Sequence, residues 1–127
     1  MQPDAEVRLP ADSAYVAVLR MTTAAIAARL DFTLDDIEDL RMAVGEASAM
    51  LLERARPGGQ LLARYQLGDG RIDVSVSVDV VDATPPDTDS FAWQVLTTTA
   101  TEVSAEAGAD VLTICLTVTS TTSSSSA

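Results

Sequence analysis

The sequence AVGEASAM, residues 43–50, places one carboxylate, Glu46, among small and apolar residues in the middle of a long helical pattern. Side chains four residues apart share one face of a helix, so a polar partner of Glu46 is expected at position 50. That position holds Met50 instead. Two interpretations of Glu46 stay open: a catalytic carboxylate or the remnant of one, and an ordinary solvated helix residue.

Other reactive side chains are scarce. The chain contains no histidine, which excludes Ser/His and Cys/His catalytic arrangements and removes the commonest neutral metal ligand. We therefore expect no metal site. The only cysteine, Cys115, lies in the apolar alternation VLTICLTV and has no partner for a disulfide. We predict that it is a buried structural residue rather than a reactive thiol.

The charge balance excludes some classes of partner. Acidic residues number 19 and basic residues 8, which gives a net charge of −11. Such a field repels nucleic acid and anionic membranes, so we expect neither as a partner, whereas a basic protein surface would be attracted. The N-terminal residues have neither a basic start nor an apolar core, and no apolar run reaches membrane-spanning length. We therefore expect a cytoplasmic protein.

The elements that position Glu46 follow from the periodicity of apolar residues. Residues 5–9 alternate as a half-buried strand, and Pro10 ends it. A first helix is predicted from a cap at Asp12 or Ser13 to about Leu30.

The second helix carries Glu46 and is the longest predicted element. It begins at a near capping box formed by Thr33 and Asp36, and acids crowd its first turn, where the helix dipole favours negative charge. Pro57 closes the segment.

The middle of the chain carries a hairpin signal. Residues 60–67 and 71–81 alternate as two strands on either side of the turn sequence GDG. In the second strand the apolar residues share one face and the polar residues share the other: Asp73, Ser75, Ser77 and Asp79. One face of the sheet is therefore expected to be exposed to solvent.

A third helix is predicted after a turn-rich loop, with Asp89 or Ser90 as its cap. The residues that share its helical spacing are Trp93, Leu96, Ala100 and Val103. Trp93 and its neighbour Phe91 are assigned to the core. Residues 111–119 again alternate as a strand.

This order of elements predicts a single α+β domain over residues 1–119. We expect a two-layer sandwich in which a mixed or antiparallel sheet of about four or five strands is covered on one face by three helices. Residues 120–127, STTSSSSA, form a polar low-complexity tail that is expected to be disordered.

Residues 35–55, DDIEDLRMAVGEASAMLLERA, resemble the first ATP-site helix of the GHKL superfamily, and specifically of its RsbW-like branch of anti-sigma factors and serine-protein kinases. The order of the flanking elements is also similar to that branch, over nearly all of residues 5–119. The resemblance implies a histidine-kinase ATPase-like fold with a shortened lid. It also implies that Glu46 occupies the position of the catalytic base and Met50 that of an asparagine that holds magnesium.

The resemblance also exposes departures from an active ATP site. A thioether is too soft for Mg²⁺, so Met50 cannot replace the asparagine. Asp79 or Asp82 would be a remnant of the acid that reads adenine, but neither is followed by the glycines of the family motif. Only eight residues, 83–90, separate Asp82 from the predicted third helix, and none of them is glycine. We therefore expect no cofactor, with ATP and magnesium required only if residual kinase activity remains.

What the resemblance implies beyond ATP is partner binding. Members of this branch dimerise and sequester an alternative sigma factor of RNA polymerase, and a STAS-domain anti-anti-sigma protein releases it. Arg20 matches the partner-facing arginine of the family, and a second candidate surface is the acidic group at the start of the second helix: Asp35, Asp36, Glu38 and Asp39. The alternatives are a residual serine kinase of the anti-anti-sigma factor, and a domain that binds a small ligand or pairs with a paralogue.

Overall fold

The computed structural model describes residues 2–121. Its elements in chain order are β1 (Ala5–Pro10), a 3₁₀ turn (Ser13–Tyr15), α1 (Val16–Ala27), α2 (Leu34–Leu52), β2 (Gln60–Gly68), β3 (Arg71–Asp79), α3 (Phe91–Thr99), β4 (Glu102–Ala107) and β5 (Val111–Thr119). The five strands form one antiparallel sheet in the spatial order β1-β2-β3-β5-β4. α2 packs on β3 and β5, and α1 and α3 both pack against α2. The predicted two-layer α+β architecture is confirmed.

The core lies between the sheet and the helices. The inward residues of β3 and β5 are almost fully buried, and they are Ile72, Val74, Val76, Val78, Leu112, Ile114 and Leu116. The β2–β3 hairpin turns at Asp69 and Gly70. Gly70 has a φ of 63°, which glycine adopts readily because it lacks a Cβ. The outward face of the sheet carries polar residues, among them Ser77 and Thr113, whose hydroxyls lie 2.8 Å apart. The predicted division of the sheet into an apolar and a polar face is confirmed.

The second helix begins as its sequence predicts. The Asp36 N–H donates to Thr33 Oγ1 and the Thr33 N–H donates to Asp36 Oδ2, each at 3.0 Å, which completes a capping box. The Thr121 N–H and hydroxyl also donate to Asp36 Oδ2 at 3.2 Å. Burial by itself would raise the pKa of Asp36, but these hydrogen bonds outweigh it and hold the pKa below its ordinary value.

The boundaries of the other two helices differ from the prediction. The first helix opens with the 3₁₀ turn that Asp12 caps, and α1 ends at Ala27 rather than near Leu30. The third helix is capped by Ser90 but ends at Thr99, and β4 begins at Glu102. Val103, predicted to lie in that helix, pairs with β5 instead. The backbone groups of residues 102–107 form their hydrogen bonds with the edge of β5. Helical spacing within the segment does not reveal this pairing.

The cysteine is not in the core. Cys115 lies on the outward face of β5, opposite Ser75 on β3 and Ser104 on β4, and is only half-buried. Burial nevertheless raises the pKa of its thiol, and Glu106 acts in the same direction. The prediction of a buried residue is wrong in placement, because the apolar alternation of this strand assigns Cys115 to the polar face.

The predicted tail begins inside the fold. Ser120 is buried and its N–H donates to the Gly70 carbonyl at 2.7 Å, and Thr121 bonds to Asp36. The remainder of that prediction, residues 122–127, lies outside the described residues. Within residues 2–121, no helix is long and apolar enough to cross a bilayer.

Candidate functional site

Glu46 and Met50 line two different clefts, although they lie one helical turn apart on α2. The first, which we call the Glu46 cleft, has a volume of about 420 Å³ and lies between α1, α2 and α3. Its lining residues are Ser13, Val16, Arg20, Met42, Gly45, Glu46, Ala49 and Val95. The second, the Met50 cleft, has a volume of about 240 Å³ and lies where the C-terminal end of α2 meets the segment before α3 and the sheet. α3 borders both clefts, and the two clefts have no lining residue in common.

The Met50 cleft has an apolar floor, and hydrogen bonds from Arg54 hold its rim. Leu51, Leu112 and Ile114 line it together with Met50. On the rim, Arg54 donates from Nη1 to the carbonyls of Thr84 and Pro85, and it thereby ties the segment before α3 to the end of α2. A volume of about 240 Å³ is below the roughly 300–1,000 Å³ that is usual for ligand pockets.

Neither acid predicted as an adenine-reading remnant lines the Met50 cleft. Asp79 lies on the outward face of the sheet, where its Oδ2 accepts from the Gln60 N–H at 3.0 Å. Asp82 is exposed in the segment after β3. The inward residue at this end of the strand is Val80, which is fully buried. The alternation of the strand therefore places an apolar side chain, and not Asp79, on the helical side of the sheet.

The structure brings together two residues that were predicted separately. Arg20, on α1, and Glu46, on α2, both line the Glu46 cleft. Arg20 is exposed and Glu46 is half-buried. Within residues 2–121 neither side chain forms an ion pair. One basic and one acidic residue therefore line the same cleft.

The acidic group at the start of α2 divides into two kinds of residue. Asp35, Glu38 and Asp39 are exposed, and Glu38 Oε2 lies 2.6 Å from Arg41 Nη1. Asp36 is buried and committed to the capping box and to Thr121. Asp36 is therefore not available to a partner, which corrects the prediction that all four acids form one surface.

An apolar groove beside the Glu46 cleft was missed by the sequence reasoning. Met42 is 53% exposed and Phe91 is 81% exposed, and they line the groove with Gln94, Val95, Thr98 and Thr99. Met42 and Val95 also line the Glu46 cleft, so the groove and the cleft are continuous. Phe91 was assigned to the core, but it directly follows the cap Ser90 and is off the Trp93–Leu96 stripe. That offset is the signal that could have placed it on the surface.

No metal site competes with this description. In the part of the chain that the structure describes, no group of three or more Cys, Asp or Glu residues is arranged to hold a metal ion. Glu53 and Asp87 are the acids that line the Met50 cleft.

Comparison with known families gives a match over most of the chain. The sequence profile described as "Histidine kinase-like ATPase domain" matches residues 9–114. Among curated proteins, the serine-protein kinase RsbW of Bacillus velezensis is 35% identical over 75 residues, which are 57% of this chain and 47% of that protein. The RsbW of Bacillus anthracis is 34% identical over 74 residues, which are 57% of this chain and 46% of that protein. The match therefore spans about half the length of these relatives.

Solved structures agree on the fold. The RsbU and RsbW domains of a Mycobacterium tuberculosis protein superpose with a TM-score of 0.68 at 19% identity, covering 92% of this chain and 33% of that one. The histidine kinase domain of a blue-light-activated histidine kinase from Erythrobacter litoralis gives a TM-score of 0.61 at 15% identity, covering 91% of this chain and 64% of that one. At these identities the likeness concerns the fold alone.

Proposed function

Since the chain belongs to the histidine kinase-like ATPase domain family, we propose that it acts as an anti-sigma factor that sequesters an alternative sigma factor of RNA polymerase by stoichiometric binding. One contrast carries the proposal. In the Met50 cleft a thioether stands where the family resemblance implies a magnesium ligand, whereas the helical face exposes Arg20, which forms no ion pair within residues 2–121, beside an apolar groove.

The residues of the Met50 cleft do not fit a magnesium nucleotide. Met50 offers a thioether where Mg²⁺ takes oxygen ligands, and Val80 is the inward side chain where an acid would read adenine. Residues 83–90 contain no glycine, and the Ser90 hydroxyl accepts from the Trp93 N–H at the start of α3. Phosphoryl transfer depends on positioning and on electrostatic stabilisation, and these residues provide neither.

The helical face has the composition of a protein interface. Exposed Met42 and Phe91 provide apolar contact, and Arg20 provides a planar donor for a carboxylate at the edge of that contact. The net charge of −11 attracts a partner with basic surfaces and speeds their encounter. A sigma factor bound on this face cannot bind RNA polymerase with the same surface. A STAS-domain protein would release it by competing for the face, and a homodimer remains a prediction.

A second candidate is residual kinase activity on the STAS partner. The relatives that match are named serine-protein kinases, and Glu46 retains the position of the base in an open cleft. Magnesium-dependent ATP binding measured by calorimetry would support this candidate. We expect none for the wild type, because the Met50 cleft is small and Met50 is not a magnesium ligand.

The proposal is tested by affinity purification of the tagged protein from its native lysate, with and without magnesium-ATP, and identification of the eluted proteins by mass spectrometry. The recovered sigma factor is then purified, and its stoichiometry with this protein is measured by light scattering, which also gives the oligomeric state. We expect a complex that ATP neither strengthens nor releases, and that inhibits transcription in vitro.

A pair of variants tests the site. Arg20→Ala should weaken binding of the sigma factor by about tenfold or more, as expected for an arginine anchor. Arg29→Ala is the matched control, because Arg29 is also exposed and lies beyond the end of α1, outside both clefts. Equal binding by both variants would refute the site, and the absence of any sigma factor from the eluate would refute the function.

A further inference from the structure

Gly45 is a buried glycine in the middle of α2, directly before Glu46. Glycine inside a helix is destabilising relative to alanine, because its backbone loses more conformational freedom on folding. Its φ is not positive, so the backbone conformation at this position does not require glycine. Some other contact must explain why a Cβ is absent here.

The contact is with Arg20. A Cβ placed at position 45 would lie 2.9 Å from Arg20 Cδ and 3.5 Å from both Cγ and Nη1. The Arg20 side chain, including Cγ, Cδ and the guanidinium Nη1, therefore lies in a notch on α2 that a side chain at residue 45 would fill. All three of the nearest atoms belong to Arg20, so Arg20 is the side chain that a Cβ at position 45 would displace.

The notch determines where the guanidinium lies. Packed against α2 at Gly45, Arg20 lines the Glu46 cleft and remains exposed to solvent as a residue. Although the chain carries 19 acidic residues, none of those in the described part forms an ion pair with Arg20. An arginine side chain that is already packed against a helix loses less conformational entropy when it binds a carboxylate.

We propose that Gly45 is a positioning residue, whose missing Cβ presets the Arg20 guanidinium to bind a carboxylate of a protein partner. The apolar neighbours of that carboxylate would enter the groove that Met42 and Phe91 border. The carboxylate chemistry rests on the proposed function, since it concerns the same face. The positioning of Arg20 in the notch rests only on the packing of Arg20 against Gly45.

Gly45→Ala separates stability from binding. The atom nearest to the added Cβ belongs to a flexible side chain, so Arg20 moves while the α2 backbone stays in place. We expect the Tm to rise by roughly 2–5 °C, because alanine favours the helix, while affinity for the sigma factor falls about 5- to 20-fold. In an Arg20→Ala background, Gly45→Ala should cause no further loss of affinity. Gly68→Ala, whose added Cβ has no atom closer than 3.9 Å, is the matched control and should not alter binding.

A readout without the partner keeps the two proposals distinguishable. The side-chain Nε–Hε signal of Arg20 in NMR spectra should be ordered in the wild type, and it should shift and become more mobile in Gly45→Ala. An unchanged signal, a lower Tm, or sigma-factor affinity equal to that of the wild type would each overturn the inference. If the Arg20 signal changes in Gly45→Ala but the wild type binds no sigma factor, the positioning of Arg20 by the notch is supported and the proposed function is overturned.

Discussion

A buried hydrogen-bonded pair fixes α1 to the sheet, and its two members should respond unequally to mutation. Thr23 on α1 and Tyr65 on β2 are each 0% exposed, and their hydroxyl oxygens lie 2.7 Å apart. The Thr23 hydroxyl donates its only proton to the Leu19 carbonyl at 2.8 Å. The Tyr65 hydroxyl must therefore be the donor in the pair, with Thr23 as its acceptor.

This direction of donation sets the magnitudes. Thr23→Val leaves the Tyr65 hydroxyl buried without a partner, which should cost about 1–3 kcal/mol of unfolding free energy. Tyr65→Phe leaves the Thr23 hydroxyl bonded to Leu19 and should cost only about 0.5–1.5 kcal/mol. The double variant replaces both groups with apolar ones of similar shape. Its cost should be no greater than that of Thr23→Val alone, so the two effects are not additive.

The assay is chemical unfolding at 25 °C, followed by circular dichroism and by the fluorescence of Trp93. Thr22→Val is the matched control, because the Thr22 hydroxyl also donates to a carbonyl four residues earlier, at 2.9 Å from Val18 O, but has no tyrosine partner. It should change stability by less than about 0.5 kcal/mol. Tyr65→Phe costing more than Thr23→Val, or additive costs in the double variant, would refute the assignment of the donor.

The remaining predictions concern titration, the pinned segment and the thiol. Burial raises the pKa of Tyr65 in the folded protein, so the protonated hydroxyl contributes stability that is complete below pH 10.0 and is lost as pH rises through the folded pKa. The difference in unfolding free energy between the wild type and Tyr65→Phe should therefore shrink at alkaline pH. Asp36→Ala should cost about 1–2 kcal/mol at neutral pH, and because the folded pKa of Asp36 is lowered, this difference should shrink as pH falls below 3.8. Arg54→Ala should speed amide hydrogen exchange in residues 81–90 by about 3- to 10-fold, without changing global stability. Cys115 should react with a disulfide reagent about tenfold more slowly than free cysteine, because burial raises its pKa.

Much of the fold was predictable because its signals are local. The alternation from Ile72 to Val78 specifies which face of a strand is buried, since side chains point to opposite faces with a period of two. Thr33 and Asp36 form their capping box within four residues of chain. The resemblance of residues 35–55 gave the family, which the match over residues 9–114 shows.

Other elements could not be predicted because they depend on distant neighbours. Val103 has helical spacing from Trp93, yet it lies in β4 because the edge of β5 offers backbone partners. Asp36 was predicted to belong to an acidic surface, but in the structure its carboxylate accepts a hydrogen bond from Thr121, which is 85 residues away in the chain. Such contacts leave no mark in the periodicity of either segment.

The sequence by itself determined the two layers and the buried face of β1, β2, β3 and β5, because composition and period act within one element. Only the tertiary structure decided that Glu46 and Met50 line separate clefts, that Asp79 faces away from the helices, and that Arg20 lies in the notch at Gly45. These relations depend on how α1 and α3 pack across α2. Packing is decided by the shapes of side chains from separate elements, and helical spacing within one element does not specify them.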